Sequence, residues 1–401
     1  MSKIAGQRPL IFLWENFGPL HVDRCEAVAH AMPSRRVIGL EVLSESTDYD
    51  WISASSQKFE KITLAARADP KAWSPWRIAA VIARLRPEAV FFCHYQRAEI
   101  FLAATLARAM GVRVFTMNDS KFDDYPRELW REVAKSLFFL PYQGALAASR
   151  RSADYLRFFG IRKDRIAHGY DSISVARIRD LAKAPPAPDG AAFEGRHFTI
   201  VARLLPKKNI ALALRALAIL ARAGQARKLV ICGSGPLEFE LKALAKDLGV
   251  SSLVDFKGFA QTEEVCRILA QTLVLILPSV EEQFGQVIPE ALSMGVPVLV
   301  SDNCGARDHL VETGVNGFIF EPTNVEGLAY FMRLLSTDES TWRSMALAAL
   351  RIAGRGDVSQ FVTGVRQLVD GAIAPSLAQP PKAETFALRE EAELEVIKDC
   401  A

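Results

Sequence analysis

Two glutamates, Glu282 and Glu290, are separated by seven residues in a stretch that leads from an acidic loop into a helical pattern. A carboxylate accepts paired hydrogen bonds from neighbouring hydroxyl groups, and Gly285 between the glutamates allows backbone N–H groups to approach a ligand. Residues of these types at this spacing could bind the hydroxyl groups of a sugar and of a ribose. Two solvated glutamates on a surface helix are the alternative that the spacing alone leaves open.

Two basic residues, Arg203 and Lys208, follow the short apolar run 198–202. A guanidinium fork and a compact ammonium are the side-chain donors that suit a diphosphate. Gly233 and Gly235 follow another apolar run, at a turn where backbone N–H groups could meet a phosphate or a ribose. On the residues alone, an ordinary basic loop and an ordinary glycine turn are the alternatives.

The elements around the glutamates predict a parallel α/β sheet. Residues 272–277 form an apolar run typical of a strand buried on both faces, 287–294 have apolar residues at helical spacing, and 296–300 begin another strand. Gly295 stands at the C-terminal cap of that helix. The glutamates therefore lie at the carboxyl edge of the sheet, where open α/β sheets bind ligands.

The chain, at 401 residues, is long enough for two domains that each bury a core. Three prolines within residues 185–188 break the pattern, so we predict a boundary near 175–195. Residues 51–72 show no clear pattern. In the first half, strands are predicted at 9–14, 36–43, 89–93, 112–117 and 145–148, and helices at 21–32, from 73, 98–110, 126–140 and 150–159.

The sequence EQFGQVIPEALSMGVPVL resembles the E-x7-E signature of the retaining nucleotide-sugar glycosyltransferases of family 4, which have the GT-B fold. The resemblance implies two Rossmann-like α/β domains whose parallel sheets face a central cleft. It implies that Glu282 contacts the transferred sugar, that Glu290 holds the donor ribose, and that Phe284 and Gly285 meet the donor. In the same family, the residues that correspond to Arg203 and Lys208 clamp the donor diphosphate.

The run NFGPLHVDR after the first predicted strand resembles a bacterial subgroup of that family, which implies that Gly18 and His21 lie in the cleft. Many members of the family have a histidine in the loop after the strand predicted at 112–117, whereas this chain has Asn118 and Asp119. The segment NDSKFDDYP resembles the subgroup's version of the loop, which makes Asp119 a candidate catalytic residue. A turn or helix N-cap is the other role open to a loop aspartate.

The resemblance also implies an organisation and an activity. It predicts an acceptor-binding domain at 1–185, a nucleotide-sugar-binding domain at 186–355, a closing helix at 356–373 that returns to the first domain, and a tail at 374–401. The implied reaction moves a sugar to an acceptor hydroxyl with retention of configuration, in bacterial surface polysaccharide or glycoconjugate synthesis. A nucleotide-sugar epimerase of the same fold and an inactive carbohydrate-binding homologue are the alternatives.

Neither a cofactor nor a metal is expected, because the nucleotide sugar is a substrate and two cationic side chains can stabilise its diphosphate as a divalent ion would. The only Asp-x-Asp pair, Asp48 and Asp50, lies far in sequence from the donor motifs. Glu238 stands where a dinucleotide-binding fingerprint needs its third glycine, which argues against NAD binding.

Charge is shared unevenly along the chain, with 28 Lys+Arg against 20 Asp+Glu in residues 1–185. This excess suggests an acceptor on a lipid diphosphate at an anionic membrane surface, provided that Arg127, Arg131 and Lys135 lie on an exposed helix face. The apolar stripe of that helix, which includes Trp130, is typical of core. A solvated surface without such a partner is the alternative.

Hydropathy and cysteine usage predict a cytoplasmic protein. No apolar run approaches the ~20 residues that span a bilayer, and residues 1–18 read as a first strand rather than a signal peptide. The six cysteines form no C-x-x-C pair and are expected to be reduced. No nucleic-acid partner is expected.

Overall fold

The computed structural model describes residues 8–45, 56, 58–66, 69 and 71–371. The Asp48 and Asp50 pair and the predicted tail lie outside these residues. Within them the chain forms two α/β domains, each built on an all-parallel sheet, which confirms the predicted fold class.

The first domain has a seven-stranded sheet in the order β3-β2-β1-β4-β5-β6-β7. Its strands are β1 Leu10–Trp14, β2 Val37–Leu43, β3 Glu60–Ala65, β4 Ala89–Phe92, β5 Arg113–Asn118, β6 Gly144–Ala147 and β7 Ile166–His168. Its helices are α1 Pro19–Ala31, α2 Pro75–Leu85, α3 Ala98–Ala109, α4 Leu129–Lys135, α5 Arg150–Phe158 and α6 Val175–Ala182.

The second domain has a six-stranded sheet in the order β10-β9-β8-β11-β12-β13. Its strands are β8 His197–Val201, β9 Leu229–Cys232, β10 Val254–Gly258, β11 Thr272–Leu277, β12 Val298–Ser301 and β13 Gly317–Phe320. The helices that follow are α7 Ile210–Arg222, α8 Glu238–Asp247, α9 Thr262–Ala270, α10 Val287–Ser293, α11 Arg307–Leu310, α12 Val325–Thr337, α13 Glu339–Ile352 and α14 Val358–Asp370.

The central strands read as unbroken apolar runs because helices cover both faces of each sheet. In the first domain, Phe12, Phe91 and Phe115 are register partners on β1, β4 and β5. Their rings stack with centroids 4.8 and 5.0 Å apart, which builds one side of the core across three strands.

The last described helix, α14, leaves the second domain and packs on α1, β6 and β7 of the first. Phe361 lies against Phe12 with ring centroids 5.4 Å apart, and the Arg35 guanidinium pairs with Asp370 at 2.7 Å. The chain thus returns from the second domain and packs into the core of the first.

One sequence-based expectation in the first domain is wrong, and one strand lies where none was assigned. The helix predicted over 126–140 is reduced to α4 and a 3-10 turn at Ser136–Phe139, and Trp130 and Leu137 on its stripe are 68% and 59% exposed rather than core. The unpatterned stretch contains β3, whose residues are mostly exposed or half-buried. An edge strand with this exposure carries little of the apolar signal by which strands are recognised.

The strand order reverses between β1 and β4 in the first sheet and between β8 and β11 in the second. The loops after these strands leave the sheet in opposite directions, so a crevice opens at their carboxyl ends. This topology directs the residues after β1, β4, β8 and β11 toward the space between the domains. Among the described residues, no helix is both long and apolar enough to cross a membrane.

Candidate active site

A cavity of about 850 Å³ lies between the two domains, lined by the loops at these carboxyl ends. Of the residues predicted for the site, ten line it: His21, Asp119, Arg203, Lys208, Gly233, Gly235, Glu282, Phe284, Gly285 and Glu290. Gly18 is the exception. The tertiary structure thus brings together residues that are spread over most of the sequence.

Lys208 and Glu282 meet on the wall of the cavity that the second domain forms. Lys208 Nζ donates to Glu282 Oε2 at 2.5 Å, and Ser279 Oγ donates to the same oxygen at 3.0 Å. Asn209, next to Lys208, takes a left-handed conformation and donates from Nδ2 to the carbonyls of Pro278 and Pro322. This asparagine holds the turn that carries Lys208 against the end of β11.

Arg203 lies in the loop after β8, exposed on the same wall. Gly233 packs behind this loop with a φ of 144°, and a Cβ there would lie 1.9 Å from the carbonyl oxygen of Ala202. Only glycine fits this position. The Gly233 N–H donates to Gly258 O at 2.7 Å, so this glycine allows close packing of two loops and does not offer its own N–H to a ligand.

The 282–286 loop is braced from behind by the 302–306 loop. The N–H of Gly305 donates to Glu282 O at 3.2 Å, and the N–H of Ala306 donates to Phe284 O at 2.9 Å. Gly285 has a φ of 99°, where a side chain would meet Leu277 at 2.9 Å. The conformation of the 282–286 loop therefore depends on a second loop behind it.

Glu290 lies in the first turn of α10 and faces the first domain. Burial raises the pKa of Glu290 to about 7, with the positive charge of Arg177 opposing that rise and the negative charge of Asp23 adding to it. Arg177 is itself paired with Asp23 at 2.7 Å. Hydroxyl groups that donate hydrogen bonds in place of water would stabilise the ionised form of this carboxyl group.

His21 lies in the cavity wall of the first domain. Its Nδ1 accepts a hydrogen bond of 3.1 Å from the N–H of Gly18, and burial, together with the charges of Arg24 and His94, holds the pKa of His21 well below its usual value. A neutral imidazole follows from this environment. Gly18 is buried behind the wall, and because its N–H is directed at His21 it positions that ring rather than a ligand.

Asp119 follows β5 and lines the cavity near a second carboxyl group, Asp171. Burial and the charge of Asp171 raise the pKa of Asp119. The turn at this point is closed by Asn118, whose Oδ1 accepts from the N–H of Ser120 at 3.3 Å. Asn118 therefore has the turn-forming role that an aspartate could have had, and Asp119 remains a candidate for contact with substrate.

Asp171 bridges the two domains. Its Oδ1 accepts from Arg24 Nη2 at 3.2 Å and from Gln286 Nε2, on the second domain, at 2.7 Å. Burial raises the pKa of Asp171 although the charge of Arg24 opposes this. The 282–286 loop is thereby joined to the first domain at the cavity.

Part of this chain matches a known family of proteins. Residues 190–351 match the glycosyl transferases group 1. This match contains the β8 to β12 wall of the cavity, with Arg203, Lys208 and both glutamates.

Two curated relatives match over 155 and 179 residues. The amylovoran biosynthesis glycosyltransferase AmsK of Erwinia amylovora is 33% identical over 37% of this chain and 38% of its own length. The putative colanic acid biosynthesis glycosyltransferase WcaL of Escherichia coli is 31% identical over 42% of this chain and 44% of its own length. The chain thus spans less than half the length of these relatives.

The fold is shared with solved glycosyltransferase structures. The structure of Anabaena Alr3699/HepE in complex with UDP is 18% identical, covers 91% of this chain and all of its own, and superposes with a TM-score of 0.69. At that identity the likeness shows the fold, which is GT-B.

Three site residues escaped the sequence analysis as candidates: Arg24, Asp171 and Gln286. The sequence could have indicated Arg24, because this residue ends the NFGPLHVDR run. Asp171 follows the three-residue strand β7, which is too short to be recognised by its pattern. Gln286 gains its role only from the approach of the first domain.

Proposed function

We propose that this protein transfers a sugar from a nucleotide-diphosphate sugar to an acceptor hydroxyl with retention of configuration. The observation that carries the proposal is the Lys208–Glu282 pair, which lines the interdomain cavity together with Glu290 and Arg203. Cations for a diphosphate and carboxylates for hydroxyl groups are thus found on one wall.

The second domain would bind the donor. Glu290 would accept hydrogen bonds from the ribose, Glu282 from the transferred sugar, and Arg203 and Lys208 would meet the diphosphate. Lys208 pairs with Glu282 at 2.5 Å. Donor binding would therefore exchange one internal ion pair for two ligand contacts, with Lys208 turning to phosphate and Glu282 to a hydroxyl.

The departing diphosphate would be stabilised by the positive charges of Arg203 and Lys208. Stabilising the charge that develops in the transition state is commonly the largest contribution to catalysis. With retention, the acceptor hydroxyl attacks from the face on which the diphosphate leaves. Asp119, whose raised pKa favours exchange of a proton near neutral pH, would lie beside the acceptor. No metal and no cofactor is required by this scheme.

The acceptor would bind on the wall of the first domain. The names of the two curated relatives refer to the biosynthesis of amylovoran and of colanic acid. By analogy we propose a saccharide or lipid-linked saccharide acceptor in bacterial polysaccharide or glycoconjugate synthesis, used at the cytoplasmic face of the membrane.

The surface that could meet a membrane differs from the basic face that the sequence suggested. Arg127 is buried by Asp124 and Glu132, Lys135 donates to Glu132 at 2.7 Å, and Arg131 pairs with Glu128. Instead, an apolar patch is exposed there, made of Leu129, Trp130, Val133, Leu137 and Leu140. We propose that any contact with lipid is made by this apolar patch, with little help from charge.

The proposed activity is tested first by ligand identification. Thermal shift against UDP, GDP, ADP and their sugars should show stabilisation by one nucleotide series, and incubation with the matching donor should release nucleotide slowly without an acceptor. Lys208→Ala should weaken the stabilisation and slow the release, whereas Lys242→Ala, a change at an exposed lysine on α8, should do neither. An epimerised free donor seen by NMR, or no response to any nucleotide sugar, would contradict transfer.

A further inference from the structure

Arg151, at the start of α5 in the first domain, reaches across to the second domain with most of its donors. Its backbone N–H and its Nε donate to the two carboxylate oxygens of Asp308, at 3.0 and 2.9 Å. Its guanidinium also donates to the carbonyls of Asp302 and Cys304. Asp123, its remaining partner, is on the first domain.

The carbonyls that Arg151 holds belong to the same segment that braces the 282–286 loop. Between Asp302 and Ala306, this segment receives Arg151 on one side and donates to Glu282 O and Phe284 O on the other. The Cys304 thiol also donates to Phe284 O at 2.8 Å. A continuous series of hydrogen bonds thus connects a first-domain arginine to the loop that carries Glu282.

These contacts exist only when the two domains are together. The start of α5 does not depend on them, because Ser149 and Ser152 cap the helix through reciprocal hydrogen bonds. The Arg151 side chain is 22% exposed and that of Asp308 is 9% exposed, so the pair is largely shielded from solvent. Shielding from water strengthens charge-assisted hydrogen bonds relative to those on the open surface.

We propose that Arg151 is a positioning residue that couples the approach of the two domains to the shape of the 282–286 loop. The inference rests on the proposed function, in which that loop binds the donor sugar. With the domains together, Arg151 holds the 302–306 loop, and the 302–306 loop in turn holds Glu282 and Phe284. Such a coupling is reciprocal. If the approach of the domains raises the affinity for the donor by some factor, donor binding must favour the closed arrangement by the same factor.

An arginine is required here by geometry as well as by charge. One guanidinium serves two carboxylates and two carbonyl groups at the same time, which its fixed, planar set of five donors allows. A lysine would keep the ion pair with Asp308 but has a single nitrogen. Arg151→Lys should therefore retain only part of the coupling.

The test compares Arg151→Ala and Arg151→Lys with Arg157→Ala, a matched control on the same helix whose partner Asp154 is exposed on the surface. For Arg151→Ala, small-angle scattering of the ligand-free protein should show a larger radius of gyration. The KM for the donor should rise by roughly 10-fold, within the usual range of coupling between sites, while the KM for the acceptor stays unchanged. Arg151→Lys should have a radius of gyration and a donor KM between those of Arg151→Ala and wild type. Arg157→Ala should match wild type in both.

A residue that only stabilised the fold would behave differently. Lower stability reduces the fraction of active enzyme and so reduces apparent kcat, without changing the donor KM below the melting temperature. Unchanged scattering together with an unchanged donor KM in Arg151→Ala would overturn the proposal, whether or not the Tm is lower.

A second variant and a substrate-free measurement keep the proposal separate from the proposed function. Asp308→Asn removes the ion pair but leaves the contacts of Arg151 with the carbonyls of Asp302 and Cys304, so it should reproduce part of the effect of Arg151→Ala. The double variant should add little to Arg151→Ala, because the ion pair is already lost there. The scattering arm uses no substrate. If wild type binds no nucleotide sugar, the proposed function fails while the scattering of these variants still decides whether Arg151 joins the domains.

Discussion

The affinity of the protein for its nucleotide sugar should rise with pH through Glu290. Burial raises the pKa of this carboxyl to about 7, from a usual value of 4.5. Roughly 9% of the Glu290 side chains are then ionised at pH 6 and roughly 91% at pH 8. If only the ionised form accepts both ribose hydroxyls, the observed Kd is divided by that fraction, and affinity should improve roughly 10-fold over this range.

Isothermal titration at half-unit steps from pH 6 to pH 8 measures this dependence. A nucleotide-diphosphate sugar is a suitable ligand because its diphosphate is a diester that does not titrate in this range. Glu290→Gln is the control, since an amide keeps the shape of the side chain but cannot ionise, and its Kd should be independent of pH. Glu290→Ala should weaken binding at pH 8 by about 2–3 kcal/mol, because two ribose hydroxyls lose their acceptor.

The same group predicts a pH dependence of stability with the opposite sign. The folded protein binds the Glu290 proton more tightly than the unfolded chain, since burial raises the pKa above 4.5. Its contribution to the free energy of unfolding is therefore complete below about pH 4.5 and is lost as pH rises through about 7. Between pH 5 and pH 8, wild type should lose more stability than Glu290→Gln does.

Two outcomes would refute this reasoning. A Kd for wild type that does not change between pH 6 and pH 8 would mean that Glu290 either has an ordinary pKa or does not meet the ribose. A slope that persists in Glu290→Gln would assign the titration to another group in the cavity, such as Asp119, whose pKa burial also raises to about 7.

Three further predictions concern the rest of the site and the surface. Arg203→Ala and Lys208→Ala should each lower kcat by roughly 10²-fold with little effect on Tm, because their charges meet the leaving diphosphate; near-native turnover in either variant would show that the clamp is misassigned. Activity should persist in EDTA, and loss of turnover that Mg²⁺ restores would contradict the expectation of a metal-independent reaction. The apolar patch should make the protein pellet with liposomes to a similar extent at low and high salt, and Trp130→Ser with Leu137→Ser should abolish pelleting while Leu347→Ser, exposed in the second domain, should not. Pelleting that high salt abolishes would favour the basic surface instead, and none at all would favour an acceptor free of lipid.

The elements that sequence patterns predicted well are those whose signal is local. Strand β11 was predicted at its observed bounds and β1 within one residue, because a central parallel strand is apolar at every position. β3 was missed because an edge strand is half-exposed, and its pattern is set by what covers it. The 126–140 segment was predicted as one helix because its apolar spacing continues past Lys135, where the chain tightens into a 3-10 turn.

The candidate site also has some features that short segments predict and others that depend on the tertiary structure. The spacing of Glu282 and Glu290 and the position of Arg203 after a strand are properties of short segments, and the topology of a parallel sheet then directs them to one edge. The ion pair between Lys208 and Glu282 was not predicted, because the fold brings together two residues that are 74 positions apart. Gly18 shows the limit of such reasoning, because it is in the correct turn but donates its N–H to His21.

The sequence by itself determined two parallel sheets, the edge at which each would bind a ligand, and the residue types available there. Each of these can be recognised from the pattern of residues within short segments of the chain. Only the tertiary structure decided which charges are neutralised and which loops are joined. Arg127 is buried because Asp124 and Glu132 turn toward it, and Arg151 meets Asp308 because two separately folded domains approach. The raised pKa of Glu290 likewise depends on burial by elements far away in the chain, which no local pattern records.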